Sequence, residues 1–114
     1  MYCYIIRNYM KKKNSKNNEL GKNKLYKAIL SLKNNNECSE FFEDLCTPAE
    51  LEAMIDRWAV VSYINQGLAY RKIHEITGVS VTTIGRVART ITLGNGGYNI
   101  ALDRIDNLDR LNYE

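Results

Sequence analysis

One segment, residues 70–91, constrains the fold of this 114-residue chain more than any other. It holds two short apolar patterns of helical period on either side of Gly78, and Ser80 follows that glycine closely. Glycine readily adopts the left-handed conformation of a tight turn, and serine is a preferred helix N-cap. The segment therefore predicts two short helices, at about Tyr70–Thr77 and Val81–Ile91, joined by a tight turn.

Four apolar residues of this segment have the spacing that a helix-turn-helix buries. Relative to Gly78, one lies five residues before and the others one, six and nine residues after: Ile73, Val79, Ile84 and Val87. We expect these side chains to form the inner faces of the two helices. His74 lies where the two helices touch, and we interpret it as a packed or partly exposed core residue.

The opposite side of the second predicted helix carries hydroxyl groups and arginines. At about 3.6 residues per turn, the outward-facing residues are Thr82, Arg86 and Arg89, flanked by Thr83, Gly85 and Thr90. This face contains no acidic residue. Hydroxyl and guanidinium groups suit DNA phosphates and the base edges of the major groove. The segment thus predicts a DNA-binding helix-turn-helix, and the alternative is a helical hairpin with a solvated basic face.

The strongest local signal is the segment Thr47–Glu50, with the sequence TPAE. Threonine is a good N-cap, proline fits the first helical position, and the glutamate completes a capping box. We expect this helix to run to about Gln66, where Gly67 can adopt a left-handed C-terminal conformation. Because the helix is apolar on most sides between Leu51 and Ile64, it should be covered on most sides, and a second subunit is a natural source of cover.

The remaining periodic segments are also helical. We expect a helix at about Asn23–Lys33, another capped by Asn36, and a last one at about Tyr98–Leu111. The stretch Asn14–Asn18 is polar and is interpreted as a linker. No segment alternates with period two, so the sequence predicts an all-α fold of roughly six helices.

Basic residues are concentrated near the N-terminus. Met1–Lys24 holds seven basic residues and one acidic residue, a net charge of +6, whereas the remainder holds nine basic and twelve acidic residues, a net charge of −3. We predict a disordered basic tail over residues 1–22 and a helix-turn-helix domain over residues 23–114. Such a tail is either simply solvated or an arm that binds nucleic acid.

Several classes of protein are disfavoured. Three cysteines without a CxxC pair and a single histidine are too few for a zinc site, so we predict reduced thiols, no metal and no cofactor, in a cytoplasmic protein. No apolar run approaches the roughly 18 residues of a membrane span. No histidine pairs with a nucleophile, and the acids of Glu37–Asp56 are interpreted as solvated surface, so we predict no enzyme.

Several segments together resemble the Trp repressor superfamily: CTPAELEAMIDRW, the break at Gly67, and ITGVSVTTIGRV. The segments LYKAILSLK, FFEDLCT and GGYNIALDR are similar to its YerC/YecD-type branch. The resemblance runs from about Lys24 to Arg104. It implies an intertwined homodimer whose two helix-turn-helix units enter successive major grooves of double-stranded DNA, and a transcription regulator that is usually a repressor.

Carried over residue by residue, the resemblance assigns base reading to Val81, Thr82, Thr83, Gly85 and Arg86. In the family two arginines hold the indole of tryptophan. Arg86 matches one, and the comparison puts the other at Ala59, so only half of a site for tryptophan or another small effector is implied. Trp58 is accordingly interpreted as a core residue.

The candidate DNA-binding residues, from the residues themselves and from the resemblance, are Arg71, Lys72, Ser80, Val81, Thr82, Thr83, Gly85, Arg86, Arg89 and Thr90. Arg71, Lys72 and Arg89 would hold phosphates, and Thr82, Thr83 and Arg86 would reach toward bases. A regulator of this kind would lie in the cytoplasm, at the nucleoid when bound to DNA. A helical protein-interaction module without DNA binding is the alternative function.

Overall fold

A computed structural model describes the backbone of residues 15–113 and the side-chain burial of residues 18–109. Seven helices lie within this range: α1 Ser15–Leu30, α2 Asn35–Leu45, α3 Pro48–Ala59, α4 Val61–Asn65, α5 Tyr70–Thr77, α6 Val81–Leu93 and α7 Gly97–Tyr113. Residues 15–113 contain no strand, so the all-α prediction is confirmed. The first two helices form one compact unit, and α3 to α7 form a second.

The first helix differs from the sequence prediction at both ends. It begins at Ser15 rather than at about Asn23, so the expected linker is helical from Ser15 onward, and it ends at Leu30 rather than Lys33. The early turns are polar and carry no apolar periodicity, the signal on which the prediction rested. The rest of the predicted tail, residues 1–14, lies outside the described residues, and the domain boundary at residue 23 stays a prediction.

The cap of α2 is Asn34, not Asn36 as the sequence predicted. The Asn34 Oδ1 atom accepts a hydrogen bond from the Glu37 amide at 2.9 Å, and the Glu37 carboxylate accepts one from the Lys33 amide at 3.1 Å. All three consecutive asparagines are good caps, but only Asn34 is followed three residues later by a glutamate that can reach back over the first turn. Asn36 lies inside the helix.

The capping box of α3 is confirmed. Thr47 Oγ1 accepts from the Glu50 amide at 3.2 Å, and Glu50 Oε1 accepts from the Thr47 amide at 2.9 Å. The hydrogen bond from the backbone amide of Thr47, and then that with its side chain, lowers the pKa of Glu50, because both favour the ionised carboxylate. The helix therefore starts where the sequence placed it.

The central helix is interrupted, contrary to the prediction of one helix from Pro48 to Gln66. Helix α3 ends at Ala59, Val60 separates the two helices, and α4 covers Val61–Asn65. The break falls at Val60 and Val61, which are completely buried and, being β-branched, are weaker helix formers. The predicted left-handed ending is confirmed at Gly67, which has a φ of 81°.

The core of the second unit sits where α4, α5 and α6 meet. Its buried residues are Val60, Val61, Ile73, Val79, Ile84 and Val87. All four residues predicted for the inner faces of the helix-turn-helix are among them, so that prediction is confirmed. Helix α6 contacts α3, α4 and α5, which fixes its position in the unit.

Helix α3 is less covered within one chain than its composition suggested. It has no fully buried residue, and Ile55 is 58% exposed. The fully buried cluster draws no residue from α3, and Trp58 is also 38% exposed. These exposed side chains agree with the expectation that a second subunit supplies the cover, and that cover stays a prediction.

Candidate nucleic-acid interface

The turn between α5 and α6 has the geometry that the sequence predicted. Gly78 has a φ of 74°, and its amide donates to the His74 carbonyl at 2.8 Å, which closes α5. Ser80 Oγ accepts from the Thr83 amide at 3.1 Å and caps α6. Both helices begin within the predicted segment, and α5 has the predicted bounds, whereas α6 continues to Leu93.

The predicted DNA-contacting residues lie at the surface of this unit. Eight of the ten side chains are exposed: Arg71, Lys72, Ser80, Val81, Thr82, Arg86, Arg89 and Thr90. Thr83 and Gly85 are half-buried. Because Thr82, Arg86 and Arg89 are exposed, these side chains of α6 can reach a partner molecule.

The arginines of α6 are electrostatically available. Among the side chains of residues 18–109, the only ion pair joins Lys22 and Glu19. The guanidinium groups of Arg86 and Arg89 therefore have no carboxylate partner within this part of the chain. Unpaired guanidinium groups on an exposed helix face favour an anionic partner.

The threonines of α6 are not equivalent. Thr90 Oγ1 donates to the Arg86 carbonyl at 3.0 Å, and Thr83 Oγ1 accepts from Ser80 Oγ at 3.0 Å. The Thr82 hydroxyl has no hydrogen-bond partner among the described residues and is exposed. Thr82 thus keeps both its donor and its acceptors free for a partner molecule, as its predicted role requires.

Gly85 has room for a side chain. A methyl group built at this position would lie 3.9 Å from Cε2 of Tyr70, an ordinary contact distance, with no closer neighbour. Packing within the chain therefore does not require glycine here. Gly85 is half-buried and lines a surface groove together with Arg89 and Tyr70.

A cavity of about 690 Å³ lies between α3, α6 and the beginning of α7. Its lining includes Arg57, Arg86, Arg89 and the carboxylate of Asp56. The sequence comparison put the partner of Arg86 at Ala59, and that assignment stays a prediction. Ala59 does not line the cavity, whereas Arg57 does, because two residues on a helix differ in direction by roughly 200°.

The sequence suggested that Trp58 is a core residue, and that interpretation is wrong. Trp58 is 38% exposed and stacks on Tyr98, with ring centroids 6.3 Å apart and ring planes 26° from parallel. Tyr98 also lines the cavity. The aromatic pair therefore links α3 to the first turn of α7.

The sequence analysis did not identify Arg57 as a residue that lines the cavity beside Arg86. A signal was present, since Ala53, Asp56 and Arg57 recur at the spacing of three and four residues that shares one helix face. That pattern marks a common face but does not say which helix the face meets. The contact with α6 is visible only in the folded unit.

Together these features define a small all-helical protein that presents an exposed basic helix from a helix-turn-helix. Within the described residues, no helix has the length and apolar character to cross a membrane. No group of three or more potential metal-ligating side chains occurs in that same part of the chain.

The model of the family described as Trp repressor protein matches residues 21–106, so the chain belongs to the Trp repressor family. It is 44% identical to the uncharacterized protein YerC of Bacillus subtilis over 81 residues, which cover 71% of this chain and 78% of that protein. The resemblance found in the sequence is confirmed by these matches.

Two solved structures are similar to this chain. One is a candidate Trp repressor from Staphylococcus aureus, with a TM-score of 0.73 and 38% identity, covering 82% of this chain and 96% of that one. The other is a TrpR-like protein from Eubacterium eligens, with a TM-score of 0.70 and 39% identity, covering 74% of this chain and 87% of that one.

Proposed function

We propose that this protein is a dimeric, sequence-specific DNA-binding transcription regulator, and specifically a repressor. The observation that carries the proposal is the outer face of α6, where Arg86 and Arg89 are exposed and have no carboxylate partner among the described side chains. The buried side chains of Ile84 and Val87, on the opposite side of α6, anchor this helix in the core. The activity is binding rather than catalysis, and it would be exerted in the cytoplasm, at the nucleoid.

Each candidate residue has a role in this proposal. Arg71, Lys72 and Arg89 hold phosphates, and Thr82, Thr83 and Arg86 reach base edges from α6. Ser80, Val81, Gly85 and Thr90 complete the surface around them. Arginine is suited to a bidentate contact with guanine, so Arg86 is the residue on which specificity depends most.

The dimer is supported by apolar surface that one chain leaves uncovered. Four large apolar side chains of α3 and α7 are 42–59% exposed: Ile55, Ile100, Ile105 and Leu108. Apolar surface of this kind is typical of protein interfaces. Sedimentation analysis at micromolar concentration should give twice the chain mass, and a monomer would refute this part of the proposal.

Selection of bound sequences from random DNA tests the function directly. A dimer should recover a palindrome with half-sites about one helical turn apart. Because Arg57 and Arg86 line one cavity, the selection is run with and without tryptophan and other amino acids. An amino acid that changes the recovered sequences would assign the cavity to an effector.

Arg86→Ala should weaken the selected site by about 1–3 kcal/mol and leave affinity for random DNA nearly unchanged. Arg104→Ala is the matched control, since it removes an exposed arginine of α7, outside the proposed surface. Equal losses on selected and random DNA for Arg86→Ala would contradict base reading. Absence of any salt-dependent binding to DNA would favour a protein-interaction module instead.

A further inference from the structure

Val79, in the turn between α5 and α6, is held by both of its backbone polar groups. It is only 5% exposed, so its amide and carbonyl need partners within the protein. Its amide donates to Thr77 Oγ1 at 3.1 Å, and its carbonyl oxygen lies 2.7 Å from His74 Nδ1. Both partners are side chains of α5, the helix on the other side of Gly78.

The direction of each hydrogen bond follows from the chemistry of the groups. Thr77 Oγ1 donates its own proton to the Ile73 carbonyl at 2.7 Å, so a lone pair faces the Val79 amide. A carbonyl can only accept, so His74 Nδ1 must carry a hydrogen. The contact therefore selects the imidazole tautomer protonated at Nδ1, or the cationic ring.

These two hydrogen bonds hold the backbone immediately before α6. Gly78 makes the left-handed conformation accessible, but a glycine does not fix one direction for the chain that follows. Val79 immediately precedes Ser80, the N-cap of α6. The two hydrogen bonds to Val79 thus restrain the backbone one residue before the N-cap, where the direction of α6 is set.

We propose that His74 and Thr77 are positioning residues for sequence recognition by α6. They touch no base, and they act by holding Val79 so that the exposed side chains of α6 meet the groove at one angle. The proposal rests on DNA recognition by α6 as proposed above. Small misplacements of a docking helix weaken directional base contacts more than phosphate contacts, so the specific-to-random affinity ratio is the sensitive quantity.

Substitutions of His74 separate the donor from the bulk of the ring. Asparagine places its Nδ2 on Cγ, as histidine places Nδ1, so His74→Asn should keep the specific-to-random ratio within about twofold of wild type. His74→Leu removes the donor, leaves the Val79 carbonyl without a partner, and should lower the ratio about tenfold. Affinity for random DNA should be unchanged in both variants.

Thr77 supplies a second test that does not depend on whether the leucine variant folds. In Thr77→Val the new side chain has the same shape as threonine but no hydrogen-bond acceptor. The substitution should lower the specific-to-random affinity ratio, and it should raise the hydrogen-exchange rate of the Val79 amide about tenfold. Thr77→Ser should restore both toward wild type. The proposal would be overturned if the specific-to-random affinity ratio stayed at the wild-type value in both His74→Leu and Thr77→Val. It would also be overturned if His74→Asn lowered this ratio as much as His74→Leu does.

Nitrogen-15 NMR of the histidine ring tests the hydrogen bond without DNA. The single histidine makes the signal unambiguous, and the neutral ring should carry its hydrogen on Nδ1. A hydrogen on Nε2 would overturn the proposal even if wild-type protein binds DNA specifically. If wild-type protein recovers no specific sequence while the ring is protonated on Nδ1, the DNA-binding function fails and the hydrogen bond stands.

Discussion

Replacing Gly85 with alanine should stabilise the fold and weaken specific DNA binding at the same time. Glycine in a helix interior costs about 0.8–1.0 kcal/mol relative to alanine. The added methyl would lie 3.9 Å from the Tyr70 ring, so no clash offsets that gain. For a domain of this size, about 1 kcal/mol raises the melting temperature by roughly 4–8 °C.

The effect on DNA binding has the opposite sign, because Gly85 flanks the exposed arginines of α6. If the DNA approaches this backbone closely, the methyl keeps it away, and the selected site should lose about 1–3 kcal/mol, the effect of one mismatched base pair. Glycine at this position then serves binding rather than stability. The structure offers no packing reason for it.

Thermal unfolding followed by circular dichroism measures the first effect, at one fixed protein concentration because a dimer melts in a concentration-dependent way. Competition between the selected site and random DNA measures the second. Gly21→Ala is a matched control, since Gly21 lies in α1 and a methyl there meets no atom within 4 Å. It should leave DNA affinity unchanged. If Gly85→Ala binds the selected site as tightly as wild type does, close approach of DNA to this backbone is refuted. If Gly85→Ala has a lower melting temperature than wild type, the packing argument is refuted.

Three further outcomes are expected. Ile84→Ala, at a completely buried position, should lower the free energy of unfolding by about 2–5 kcal/mol in denaturant titration; a loss below that range would mean that α6 is not anchored by this side chain. The pKa of Glu50 is lowered from its ordinary value of 4.5, so its contribution is fully present above that value and is lost as the pH falls through the folded-state pKa. The stability difference between wild type and Glu50→Gln should therefore shrink on acidification below pH 4.5, and a difference that is constant with pH would contradict the capping argument. Deleting residues 1–14, which carry Arg7 and three lysines but no acid, should weaken binding to selected and random DNA alike and reduce the salt dependence; a loss confined to the selected site would show that the segment reads sequence.

The sequence determined the features whose cause is local. The capping box at Thr47, the left-handed glycines Gly67 and Gly78, and the serine cap of α6 were all located from residue type and spacing. Each depends on a hydrogen bond or a backbone torsion within a few residues, and such requirements are satisfied in the same way whatever the helices pack against. The buried face of the helix-turn-helix was found for the same reason, since helical period alone brings Ile84 and Val87 to one side.

The tertiary structure decided which helix faces meet. The cavity lined by both Arg57 and Arg86, and the stacking of Trp58 on Tyr98, involve contacts between different helices. Periodicity gives the direction of a side chain around its own helix axis, but not the angle at which two axes cross or the distance between them. Those quantities come from packing the few completely buried side chains together, and the site therefore takes its final shape from the core beneath it.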